Sequence, residues 1–159
     1  MERDAHLRLA GDLMDEDVVA LRPEQPLGEA VRQLLEHGGS TAPVVDARGR
    51  LVGVLSEKDC LMYLASAAFH AMPEHDVGES MHTDVVRVTA STDMFRLAFL
   101  FHEHAFRQVP VCDETDHLIG VVTRASLMRA LDAVRAERER TRHDSTYDLI
   151  AEHRDALNG

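Results

Sequence analysis

Positive charge, cysteine and long apolar runs are all scarce in this sequence. Its 17 lysines and arginines face 28 aspartates and glutamates, for a formal net charge of -11. That imbalance excludes non-specific attraction to nucleic acid or to an anionic membrane surface, although a local basic spot can still hold a phosphate. The two cysteines, Cys60 and Cys112, have neither metal-ligand nor redox spacing and read as buried, reduced thiols. No apolar run approaches ~20 residues. The first residues, Met1-Glu2-Arg3-Asp4, carry no signal-peptide pattern, so the expected compartment is the cytoplasm, with no membrane partner. Catalytic signatures are missing as well: no nucleophile and base, acidic dyad or metal-ligand spacing stands out, and no enzyme is expected. His102 and His104 lie two apart on an expected helix, point to different faces and do not chelate one ion.

What the chain does have is repetition. Its 159 residues, 45% of them hydrophobic, suffice for one compact domain or two small repeats sharing a core. Laying Gly53 on Gly120 aligns, without a gap, Gly11 with Gly78 and Met14 with Met81. The same shift superposes Asp17-Val18-Val19 on Asp84-Val85-Val86, His37 on His104, Pro43-Val44 on Pro110-Val111 and Asp46 on Asp113. A tandem duplication follows. The expected division is residues 1–70 for the first repeat with an N-terminal segment, 71–77 for a linker, 78–135 for the second repeat, and 136–159 for a charged linker and terminal helix.

Within each repeat the pattern reads strand, helix, strand, strand, helix. Val18 to Leu21 and Val85 to Val88 are short extended runs. Leu27, Ala30, Val31, Leu34 and Leu35 share one helical face, which Gly38-Gly39 ends. Val44-Val45 and Leu51 to Leu55 flank the turn Asp46-Ala47-Arg48-Gly49 and predict an antiparallel hairpin. A second helix starts after Ser56, with Cys60, Leu61, Leu64, Ala65, Ala68 and Phe69 along it. The helix from Met94 to Phe101 has little polar face, so it is either sandwiched between the repeats or set against a second copy of the chain. His37 and His104 fall at helix ends, near the negative pole of the dipole. Past residue 136 the charges alternate in sign and read as a solvated stretch. Ser145-Thr146-Tyr147-Asp148 has capping-box spacing and predicts the start of a short terminal helix carrying Leu149, Ile150, His153 and Leu157.

The chemistry concentrates where Leu51-Val52-Gly53-Val54-Leu55 runs into Ser56 and, one turn on, Asp59. A buried strand followed by a capping hydroxyl places unpaired amides and a positive dipole end at the junction, which favours an anion. A hydroxyl and a carboxylate one turn apart suit a phosphate and a sugar hydroxyl. The echo is Leu118-Ile119-Gly120-Val121-Val122-Thr123-Arg124-Ala125-Ser126.

These paired motifs, each preceded by Pro-Val, resemble the cystathionine β-synthase (CBS) domain, here as a pair over residues 10 to 135. The resemblance implies an α+β fold of tandem βαββα repeats packed with pseudo-two-fold symmetry, with clefts that take adenosine ligands: AMP, ADP, ATP or S-adenosylmethionine. It implies that Ser56 contacts phosphate, Asp59 accepts from ribose hydroxyls, and main chain near Thr41, Ala42 and Pro43 flanks the base, with Val109 and Pro110 as the counterparts in the second repeat. Lys58, Arg107 and Arg124 are candidate phosphate partners. In the second repeat Thr123 matches, but Ser126 stands where the pattern has an acid. Loss of that carboxylate costs about 1.5–3 kcal/mol, about tenfold to a hundredfold in affinity, so one good site and one weak or altered site are expected. The module is expected to be regulatory, homodimeric and read by a protein effector. The competing expectation is a non-binding interaction module in which Ser56 and Asp59 merely cap a helix.

Overall fold

The structure, a computed structural model, describes residues 7–158, with side chains described through residue 145. The elements run α1 (Ala10–Leu13), α2 (Leu27–Glu36), β1 (Thr41–Val45), β2 (Leu51–Ser56), α3 (Glu57–Phe69), α4 (Val77–Ser80), α5 (Met94–Glu103), β3 (Gln108–Cys112), β4 (Leu118–Thr123) and α6 (Arg124–Asn158). This is an α+β arrangement of two like halves. No helix among the described residues is long and apolar enough to cross a membrane.

The two hairpins repeat one register. Thr41 pairs with Ser56 and Val44 with Gly53; Gln108 pairs with Thr123 and Val111 with Gly120. Both end in a turn built around an aspartate. Asp46 Oδ1 accepts from the amides of Arg48 and Arg50 at 2.9 and 3.0 Å, and Asp113 Oδ1 accepts from those of Thr115 and His117 at 2.9 and 3.0 Å. The Arg50 amide does most to hold the Asp46 carboxyl below its ordinary value, and the Thr115 hydroxyl does the same for Asp113. Each turn passes through one left-handed residue, Gly49 at φ 81° and Asp116 at φ 64°. Glycine and aspartate are among the residues that tolerate that region best.

The expected first strand of each repeat is reduced to one parallel bridge, Leu21 to Val44 and Val88 to Val111. Leu21 donates to the Pro43 carbonyl and accepts from Val45, both at 2.9 Å. The residues before it leave the sheet, so the apolar runs at Val18 and Val85 are not strands. Their side chains are half-buried in clefts instead.

The halves exchange their leading segments. Ala10 is buried in the second half's core with Met94, Leu97, Val109, Val111 and Val122, while Val77 belongs to the first half's core with Leu21, Leu27, Val44 and Leu55. Backbone bonds seal both crossings: Gly11 donates to Ala90 and Gly78 to Pro23, each at 2.9 Å. Beyond these, Val54 and His82 exchange two bonds of 2.9 Å, and Asp15 and Val121 exchange two of 2.8 and 3.0 Å.

The helices bring three further findings. α6 runs unbroken through Ser145 to Asp148, so the terminal helix is its continuation and the capping-box spacing marks no helix start. Arg124 to Asn158 contains no glycine or proline to stop it, and Arg135 bonds Asp132 and Glu139 at 2.8 and 2.9 Å along its surface. α3 buries only Cys60; Leu61, Leu64 and Phe69 are exposed, as is Leu35 on α2. α5 buries Met94 and Leu97 but leaves Phe95 and Phe99 at the surface, which rules out a sandwich between the repeats. His37 and His104 are the C-caps of α2 and α5 as expected. Both cysteines are free and buried, and burial pushes each thiol up.

A Cβ on Gly53 would sit 2.6 Å from Met81 Sδ and 2.9 Å from the His82 carbonyl. Met81 can turn aside, but the bridged backbone of His82 cannot. Gly53→Ala is therefore expected to destabilise the protein by about 1–3 kcal/mol in urea denaturation. An unchanged midpoint would show that this crossing is loose.

Candidate functional site: two clefts of unequal charge

The exchanged segments and the hairpins enclose two clefts related by the internal pseudo-symmetry. The first, about 440 Å³, is lined by Ser56, Glu57 and Lys58 at the β2–α3 junction, by Ser40 and Thr41 before and in β1, by His82 to Val86 from the leading segment of the second half, and by Phe106, Arg107, Gln108 and Pro110. The second, about 300 Å³, is lined by Asp15, Asp17, Val18 and Val19, by Thr41 to Pro43, by Gln33 and His37 of the α2 end, and by Gln108, Val121 and Thr123. Thr41 and Gln108 line both, and Gln108 Nε2 donates to the Thr41 carbonyl at 2.8 Å across the seam.

Ser56 sits where its local sequence puts it. With φ -107° and ψ 157° it is the N-cap of α3, and its Oγ accepts from the Asp59 amide at 3.3 Å. Asp59 reciprocates: Oδ2 accepts from the Ser56 amide at 3.1 Å and from its hydroxyl at 2.5 Å. The other oxygen, Oδ1, faces His82 Nε2 at 3.0 Å. The Asp59 carboxylate, together with burial, also raises the adjacent Cys60 thiol, burial being the larger cause.

Charge separates the clefts. Lys58 and Arg107 line the first, with His82, against Glu57 and Asp84; neither Lys58 nor Arg107 is in an ion pair with another described residue. The second has Asp15 and Asp17 and neither lysine nor arginine in its lining. An anion therefore has partners in one cleft and opposition in the other.

Of the residues singled out from sequence, Ser56, Lys58, Thr41, Arg107 and Pro110 meet at the first cleft, and Thr41, Ala42, Pro43 and Thr123 at the second. Four, Asp59 among them, do not line either cleft. Val109 is wholly buried in the second core, because alternate residues of β3 face inward. Arg124 lines neither cleft, as its Nε donates to the Phe106 carbonyl and its amide to that of Arg107. Ser126 closes on its own turn, donating to the Thr123 carbonyl at 2.9 Å and accepting from the Thr123 amide at 3.2 Å, and it lies against a different groove beside Arg8 and Leu13. Asp59 stands behind Ser56, bonded to it and to His82, both of which line the first cleft. Sequence reasoning missed His82, Asp84 and Gln108 in the first cleft and Asp15 and Asp17 in the second. The signal was available in the paired Asp-Val-Val triplets, which read as strands.

Two βαββα-like units that trade their leading segments and enclose paired clefts define a tandem module. The CBS domain model matches residues 10–66 and 75–133, and the chain belongs to the CBS domain family. It is 34% identical over 80% of its length to the magnesium transporter MgtE of Thermus thermophilus, covering 28% of that protein. The chain spans from under a quarter to about two thirds of the length of the first curated relatives it matches. Among solved structures it resembles CBSX2 of Arabidopsis thaliana in complex with AMP, at 29% identity and TM-score 0.70 over 80% of this chain and 98% of that one. It also resembles the cytosolic domain of MgtE in complex with ATP, at 33% identity and TM-score 0.66 over 77% of this chain and 48% of that one.

Ser56→Ala removes the α3 cap and is expected to lower stability by about 1 kcal/mol in urea. Lys58→Ala, at an exposed side chain, should stay within about 0.5 kcal/mol of the parent. Equal losses for the two would show that the cap contributes nothing.

Proposed function

We propose that the chain is a regulatory module that binds a phosphorylated adenosine ligand, AMP, ADP or ATP, in the first cleft. The observation that carries this reading is the meeting of Ser56, Lys58 and Arg107 at one helix N-terminus and strand end, with Asp59 directly behind. Lys58 and Arg107 supply charge to phosphate, and the Ser56 hydroxyl turns from Asp59 to a phosphate oxygen. That turn frees an acceptor on Asp59 for the ribose, while Thr41 and the Asp84 to Val86 segment flank the base. S-adenosylmethionine fits less well, because its sulfonium brings positive charge beside Lys58 and Arg107. The complexes of CBSX2 with AMP and of the MgtE cytosolic domain with ATP support the ligand class. Binding regulates only if the ligand favours one pose of the two halves over another, which a protein effector then reads.

The second reading, an interaction module without a ligand, is favoured by the mutual capping of Ser56 and Asp59, in which each side chain already serves the other. Titration calorimetry separates the two. AMP or ATP should bind with one equivalent per chain, tighter than S-adenosylmethionine, and Arg107→Ala or Lys58→Ala should weaken binding about tenfold. No heat for any of the three at millimolar concentration favours the interaction module.

A homodimer is part of the same proposal. Leu61 on α3 and Met128 on α6 occupy matching positions of the two repeats and are 64% and 69% exposed, with Leu35 and Leu64 beside the first and Phe95 and Phe99 on α5. A two-fold partner covers both faces at once. Sedimentation should give a dimer, and Leu61→Asp with Met128→Asp a monomer; a monomeric parent would refute this.

A further inference from the structure

We infer that His82 is a latch on the Asp59 carboxylate with which a ribose diol entering the first cleft competes for Oδ1, an inference that rests on reading this cleft as a nucleotide site. A carboxylate only accepts, so His82 Nε2, 3.0 Å from Oδ1, carries the proton between them. Oδ2 already accepts from the Ser56 amide and hydroxyl. Three of about four acceptor positions on the carboxylate are thus filled, and a vicinal diol brings two donors. Turning the Ser56 hydroxyl to phosphate releases one position on Oδ2, and the other open position is on Oδ1, the oxygen that His82 holds.

The two partners differ in what they have to fall back on. The Asp59 side chain is 18% exposed and the His82 side chain 69%, so the imidazole turns out into water while the carboxylate stays. The backbone of His82 is fixed by its bridge to Val54, so the imidazole swings from a root that the fold holds in place. Both halves of the latch are missing together from the other repeat. The position matching His82 is Asp15, and that matching Asp59 is Ser126. Because Asp59 lies on α3 of the first half and His82 on the leading segment of the second, displacing the latch exchanges a contact between the halves for a contact to the ligand. Occupancy thereby alters the tie that sets their relative pose.

The test is calorimetry of AMP and of 2′,3′-dideoxy-AMP on the parent, His82→Ala and His82→Gln, each checked for an unchanged circular dichroism spectrum. His82→Ala should bind AMP about two- to fivefold more tightly, the gain expected from removing one exposed hydrogen-bonding competitor. It should bind the dideoxy nucleotide as the parent does, since that ligand has no diol to compete. His82→Gln restores an N–H donor at similar reach and should return AMP affinity to the parent value. Weaker or unchanged AMP binding by His82→Ala, or an equal gain for the dideoxy nucleotide, overturns the latch while leaving the nucleotide site standing. Absence of AMP binding in all three proteins overturns the site itself, and the latch with it.

Discussion

Two missing side chains hold this architecture together. At Gly53 and Gly120 the strand that ends each hairpin runs so close to the opposite half's leading segment that a single carbon would meet a carbonyl at 2.9 Å in both places. That approach lets Val54 bond His82 and Val121 bond Asp15, backbone to backbone. Each leading segment is then committed to the core of the other half through Ala10 and Val77. The clefts are by-products of the crossing. His82 and Asp84 reach the Ser56 junction, and Asp15 and Asp17 reach Thr123, only because the segments carrying them have changed sides. A repeat isolated by cutting between them would lose part of its core and one wall of its cleft.

Much of this was legible beforehand, and what was not shares one cause. The hairpins, their turns, the α2 stop at Gly38 and the Ser56 cap are local, and their residues declare them. The crossing is not local. Gly11 and Gly78 aligned as repeats, yet nothing along the chain says that each donates to the other half. The same holds for the Val18 and Val85 runs, whose apolar side chains are as fit for a cleft wall as for a strand. Ser145 and Asp148 have the right spacing for a cap, but a cap acts only where the preceding chain leaves the helix, and α6 does not. The helix of Phe99 read equally as sandwiched or as facing a second copy, because hydrophobicity alone does not distinguish an intramolecular surface from one awaiting a partner.

Within a nearly symmetric backbone the side chains have diverged in a concerted way. The positions that match the basic groups of the first cleft are neutral or acidic in the second. Arg107 is matched by Ser40, Lys58 by Ala125 and His82 by Asp15, while Arg124, matching Glu57, is turned to the Phe106 carbonyl. The duplication supplied two equivalent hollows, and substitution made one of them electrostatically unlike the other. The first cleft also keeps its polar groups mutually satisfied. Ser56, Asp59 and His82 form a chain in which each group has a partner, so no buried polar side-chain atom among the described residues is left without one.

The uninterrupted run of α6 has a mechanical consequence. The helix starts at the residue after Thr123, on the lip of the second cleft, and at 1.5 Å per residue its 35 residues extend about 50 Å. Its root is clamped by Leu127, Leu131 and Val134 against the second core. A tilt of only a few degrees at that clamp would swing the far end through several ångströms, which is the leverage that an unbroken rod of this length provides.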